Sequence, residues 1–119
     1  MKFPVIEIVD RYAVAVVKHT NTNGANAEEL EFYYDQMRNI NLNTGHQLVK
    51  ELIAHHAYVW SLEDDFKKGR IDSKPLEEIG RIAMLVRDQG YERTRIKNAL
   101  ADMVGDPIKD IKQYGKSDL

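Results

Sequence analysis

The fold turns on residues 4–18, PVIEIVDRYAVAVVK. The stretch is rich in valine and isoleucine, whose branched Cβ stiffens χ1 and favours strands. Its spacing argues the other way. Val5, Val9, Tyr12 and Val16 recur at helical intervals on one face, while Glu7, Arg11 and Lys18 share the opposite face. Glu7 and Arg11 also stand at the i,i+4 spacing of a supportive ion pair, and Pro4 suits a first helical turn. The spacing therefore predicts a helix over residues 4–18, with a β-hairpin as the alternative.

Working outward, the remaining segments carry the same period. TNTNGAN, residues 20–26, is a run of turn residues, and Asn26 with Glu29 makes a capping box for a second helix reaching about Asn39. Leu30, Tyr33, Tyr34 and Met37 form its stripe. NINLNTG, residues 39–45, is the next turn, and Thr44 with Gln47 gives a second capping signal. Beyond it Leu48, Leu52, His55, Val59, Leu62 and Phe66 define a seam that stops near Gly69. Ser73, Pro75 and Glu77 open a fourth helix with a seam of Ile79, Ile82 and Val86. The same alternation continues through Gln89, Arg93, Ile96, Leu100 and Met103. One long helix over about 75–104 is thus expected, since Gly90 costs it only about 1 kcal/mol, unless the chain breaks there. Gly105, Asp106 and Pro107 end it, and IKDIKQYGKSDL, residues 108–119, reads as a short amphipathic turn with a frayed end. The fold class that follows is all-α: antiparallel helical hairpins forming a four-helix-type bundle in one domain, residues 1–119.

Composition narrows the chemistry. The 119 residues are 43% hydrophobic and 30% charged, a globular balance sufficient for one modest core. Seventeen basic and nineteen acidic residues leave a net charge of −2, so no global field draws the chain to nucleic acid or an anionic membrane. The absence of cysteine excludes disulfides, thiolate nucleophiles and cysteine-ligated metals. Glu7, Asp10 and Arg11 interrupt the apolar N-terminal stretch too early for a signal segment or membrane span, so a cytoplasmic location is expected. No Walker loop, GxGxxG, HExxH or GxSxG pattern occurs.

Two polar clusters remain. In ELIAHHAYVWSLEDDF, residues 51–66, His56, Trp60 and Asp64 follow at i,i+4, with Glu63 on nearly the same face and His55 on the apolar seam. A short connection centred near residues 71–72 would set His55 and His56 level with Arg87 and Asp88, and Trp60 level with Ala83. Asp88 is then the expected acceptor for a histidine ring N–H. YERTRIKN, residues 91–98, supplies Arg93, Arg95 and Lys97, which suit a phosphate or carboxylate clamp or an internal ion-pair network with Glu63, Asp64 or Asp10. A di-iron site is not indicated, because Glu51 precedes His55 by four residues rather than three and no second ligand pair exists. Glu28, Glu31, Glu63, Asp64 and Glu77 lack the spacing of an all-α pyrophosphatase, and Ser61, Ser73 and Ser117 sit in no nucleophile motif. The basic residues lack the aromatic platform expected of a nucleic-acid interface.

Asp10-Arg11, Lys18, Glu29-Leu30, Trp60 with Glu63-Asp64, and Arg93 with Ile96-Lys97-Asn98 make a DR…W-x-x-ED…R-x-x-(L/I)KN pattern across nearly the whole chain. It resembles an uncharacterised family of small helical proteins, a domain of unknown function from bacteria and tailed phages. The resemblance implies a helix over residues 4–18 and supplies no activity and no catalytic residue. Relatives tend to carry asparagine where this chain has Gly90, and His55 and His56 match none of the family's motifs.

These readings combine into the expectation of a non-catalytic, phage-like helical binding protein that forms a homo-oligomer and binds a small polar or nucleotide-like ligand or a partner protein. The expected ligand-binding residues are Asp10, Arg11, Trp60, Glu63, Asp64, Asp88, Arg93 and Lys97, with no catalytic residue, metal or cofactor assigned. The oligomer is inferred from Val14, Val17, Ile53 and Met84, apolar residues outside the main stripes. A metal-dependent nucleotide hydrolase, with carboxylate ligands and a histidine base, is one alternative, and a purely structural or interaction protein is the other.

Overall fold

Four helices follow one another in the computed structural model, which describes residues 4–67, 69 and 72–105: α1 (Val5–Asn21), α2 (Ala27–Asn39), α3 (Gln47–Lys67) and α4 (Leu76–Val104). The amphipathic turn expected over 108–119 and the side chain of Phe66 lie outside what is described. Residues 5–18 are helical, with Pro4 at the N-cap, so spacing prevails over β-branching. Tertiary packing explains why: α1 buries Ile6, Val9, Tyr12, Ala13, Ala15 and Val17, residues spread around most of its circumference. A strand could not bury that set, because alternate side chains would point away from the core.

α1 is buried so widely because it touches all three other helices, whereas α2 packs on α1 alone. The α1–α2 hairpin is antiparallel, with Lys18 paired to Glu29 (3.3 Å) at one end and Tyr12 against Tyr34 (ring centroids 6.4 Å apart) at the other. Of the expected α2 stripe only Met37 is fully buried, and Tyr34 stays 44% exposed. The Asn26 box takes another form: Asn26 Nδ2 donates to Glu29 Oε1 and to the Ala15 carbonyl of α1, both at 3.0 Å, so its side chain ties two helices together rather than capping one. At the start of α3 the expected Thr44 cap is replaced by His46, whose Nδ1 accepts the Leu48 backbone N–H (3.0 Å).

The α3–α4 hairpin has the expected register to within a turn. His55 is bonded to Gln89 and Glu51 to Arg95, one to three positions beyond the expected partners. Helix α4 runs without a break through Gly90, whose carbonyl accepts the Thr94 hydroxyl (3.1 Å), and stops at Gly105 in the left-handed conformation (φ 73°). The core gathers at one end of the molecule, where Ile6, Val9, Met37, Val49, Leu52, Ile96, Leu100 and Ala101 meet. None of the described side chains of residues 57–90 belongs to it. No helix is long and apolar enough, among the described residues, to cross a membrane.

Candidate functional site

Asp10 lies on α1 one residue beyond fully buried Val9 and is only 7% exposed. A carboxylate there must be matched by donors, and two helices supply them. From α3, His56 Nε2 donates to Asp10 Oδ1 (2.8 Å); from α4, Arg93 donates to both oxygens, Nη2 to Oδ2 at 2.9 Å and Nε to Oδ1 at 3.4 Å. One helical turn further along α4, Lys97 is almost wholly enclosed (1% exposed); its Nζ donates to Glu7 Oε1 (2.9 Å) and lies 3.9 Å from Asp10 Oδ2. The pairs Glu7–Lys97 and Asp10–Arg93 set α1 antiparallel to α4. Four charged groups and a histidine thereby lock three helices in one register.

The electrostatics follow from this geometry. Burial alone would raise the Asp10 carboxyl, but hydrogen bonds from His56 and Arg93, reinforced by the charges of both, outweigh it and hold the group well below the usual carboxylate range. A carboxylate that can only accept requires His56 Nε2 to carry a proton. His55 lies edge-on to the His56 ring (centroids 4.7 Å) and is itself buried, its Nδ1 donating to Gln89 Oε1 (3.1 Å). Burial pushes its pKa down, further than the Gln89 hydrogen bond pushes it up.

The expected ligand-binding residues thus divide into separate groups. Asp10, Arg93 and Lys97 come together, but as one another's partners. Arg11 points to the α1–α2 groove, reaching the Tyr33 hydroxyl at 3.5 Å. With Val14, Lys18, Glu29 and Tyr33 it lines a cavity of about 220 Å³. Trp60 and Glu63 stand in the α1–α3 groove, where they line a recess of about 150 Å³ with Val14, Val17, His56 and Val59. Asp64 is partly buried beside them on α3. Asp88 is exposed and paired to its neighbour Arg87 (3.0 Å), so the acceptor expected for a histidine is Gln89 for His55 and Asp10 for His56. Arg95 pairs outward with Glu51 (3.0 Å) and with Glu92.

Sequence reasoning missed His56, Glu7 and Gln89 as members of this arrangement. Gln89 carried a signal, since it continues the α4 seam level with His55. His56 carried one too, as a histidine expected to donate to a carboxylate, but nothing pointed to Asp10 as its acceptor or to Glu7, because these partners lie 46 and 90 residues away and the α3–α4 register does not reach α1. Chemically, a histidine N–H on a carboxylate could serve acid–base work only beside a reacting group. The nearest serine in sequence, Ser61, spends its hydroxyl on the Tyr58 carbonyl (2.7 Å), and no three histidine or acidic side chains among the described residues converge to hold a metal ion.

Neither a known protein family, nor a characterised protein, nor a solved structure matches the chain.

Proposed function

We propose that the chain is a non-catalytic helical binding protein whose buried ion cluster fixes its shape and whose binding surfaces lie beside that cluster. The observation that carries this reading is the closure of the cluster: Asp10, Arg93, Lys97, Glu7 and His56 satisfy one another inside the protein. A catalytic or ligand-clamping constellation needs groups aimed outward at a reacting or bound atom, and these are aimed inward. The adjoining cavities, about 150 and 220 Å³, suit a ligand smaller than a nucleotide, given the roughly 300–1,000 Å³ of drug-sized sites. The resemblance to small helical proteins of bacteria and tailed phages is compatible with such a role and names none.

A second observation favours self-association. Of the four apolar residues outside the main stripes, Val17 is buried within the fold, Val14 and Ile53 are partly covered, and Met84 is 54% exposed. Met84 belongs to the tip half of the α3–α4 hairpin, where Leu76 is 86% exposed and Val59, Leu62, Ile79, Leu85 and Val86 are only partly covered. Among the described helices α1 is the one that packs on that hairpin, and these tip side chains stay exposed or only partly covered. A second copy presenting the same hairpin would close the bundle around a twofold axis.

Sedimentation velocity tests the assembly: the chain sediments as an oligomer that dissociates on dilution, and Leu76→Glu with Met84→Glu sediments as a monomer with unchanged helix content. A chain that is monomeric at every concentration would remove this part of the reading. Thermal-shift and native mass-spectrometric screening of the intact protein tests the binding part, and a protein that takes up nothing would remove that.

A further inference from the structure

The recess between α1 and α3 has a character that two other concavities among the described residues lack. In the α1–α2 cavity the charges are already spent, Lys18 on Glu29 and Arg11 on the Tyr33 hydroxyl. The shallow hollow at the start of α4 is bordered by Pro75, Glu77, Glu78 and Arg81, with Glu78 bridged to Lys74 (3.5 Å) and Arg81 (3.8 Å). In the α1–α3 recess, by contrast, Val14, Val17 and Val59 form an apolar floor, and His56 closes the inner end with its Nε2 committed to Asp10. Trp60 and Glu63, one helical turn apart on α3, border it together. The Glu63 carboxylate has no hydrogen bond or ion pair among the described residues. An indole, an uncompensated carboxylate and three valines are the groups that recognise a cation with an apolar skin: the ring face attracts the charge through its quadrupole, the carboxylate neutralises it, and the valines cover the carbons.

We propose that this recess binds an organic ammonium ion of about five to seven heavy atoms, an alkylammonium or quaternary ammonium group. The size follows from the volume, since an apolar cavity of about 150 Å³ accommodates a molecule as large as benzene. An inorganic cation fits poorly, because it would exchange its hydration shell for a single carboxylate and a wall of methyl groups. An anion meets the one unneutralised negative charge on the wall. The inference rests on the reading of the chain as a binding protein and names the chemistry of one of its sites.

Trp60 is the only tryptophan in the chain, so intrinsic fluorescence reports directly on the recess. The test titrates the full-length protein at low ionic strength with choline and with its uncharged isostere 3,3-dimethyl-1-butanol. Choline produces a saturable change in Trp60 emission, and the alcohol binds about tenfold more weakly or worse, the factor expected for a cation–π contact together with a partly exposed carboxylate. Glu63→Gln weakens choline about tenfold without changing helix content, and Val14→Phe, which fills the floor, removes the response. Equal binding of the alcohol and choline would overturn the ammonium assignment and leave a binding protein with an apolar recess. Unchanged choline affinity in Glu63→Gln would overturn the assignment as well. If neither compound alters the emission while screening detects a ligand held elsewhere, the inference fails and the broader reading stands; if screening is also empty, both fail.

Discussion

The two ends of the α3–α4 hairpin are built from similar residues and reach different outcomes. At the base, residues 47–56 and 91–104 place Val49, Leu52, Ile96 and Leu100 in a core that excludes water completely. At the tip, residues 57–67 and 76–90 supply Val59, Leu62, Ile79, Ile82, Leu85 and Val86, and of these only Ile82 is buried. Hydrophobicity is not what separates them; membership of the core cluster is. Over the base the side chains of α1, joined by Met37, complete that cluster, whereas among the described residues the cluster does not reach the tip. Each fully buried aliphatic side chain is worth about 1.5–3 kcal/mol, so the base carries most of the stability and the tip keeps apolar surface in reserve. The ion cluster of Asp10, His56 and Arg93 sits where the two regimes meet.

The largest effect is expected at that boundary. Asp10→Ala removes the carboxylate that Arg93 and His56 share, and breaking a buried pair in this way costs about 3–5 kcal/mol, measurable by urea denaturation. A cost below about 1 kcal/mol would show that water reaches the cluster and that the boundary is not sealed. The same region sets the response to acid. Asp10 has a folded pKa below its ordinary 3.8, so the stability it contributes is complete above that value and is lost as pH falls through the folded one. His55 has a folded pKa below its ordinary 6.5, so the unfolded chain takes up its proton first and stability declines as pH drops beneath 6.5. Melting temperature therefore falls in two stages on acidification, and Asp10→Asn removes the more acidic stage.

A second prediction contrasts the halves directly. Leu100→Ala, at a side chain with no exposure, costs about 2–5 kcal/mol, while Met84→Ala at the tip changes monomer stability by no more than about 0.5 kcal/mol. Repeating the pair where copies associate sharpens the contrast, since Met84→Ala then acquires a cost that Leu100→Ala does not. The smallest effect concerns backbone freedom. Gly80 lies inside α4 at the tip, and a Cβ placed on it meets nothing within 4 Å, so Gly80→Ala stabilises the helix by about 0.5–1 kcal/mol in thermal unfolding. Destabilisation instead would mean that the Gly80 surface is covered in the native assembly.

Much of this arrangement was legible in the sequence because helical spacing and short turns are local. The four helices, the continuous passage through Gly90 and the level of His55 near Gln89 all follow from periodicity and one tight connection. The candidate site was legible only in its ingredients. Asp10, Arg93 and Lys97 were identified as one polar group, yet their orientation depended on where α1 docks, which no short loop determines. Had α1 been turned by one residue, Arg11 rather than Asp10 would have met Arg93, and the cluster would have repelled itself. That is why Asp88, correctly placed opposite the histidines, was still the wrong acceptor: a third helix brought a better one.

The central position of α1 also gives the chain a timetable. Asp10 and Arg93 are 83 residues apart, and Glu7 and Lys97 are 90 apart. Ribosomal synthesis at roughly 5–20 residues per second separates Asp10 from Arg93 by about 4–17 s. When α1 is made, neither His56 of α3 nor Arg93 and Lys97 of α4 has been translated, so Glu7 and Asp10 stay hydrated, and Asp10 gains its histidine before its arginine. Of the four described helices, the one that organises the molecule is therefore the earliest translated and among the last to be seated.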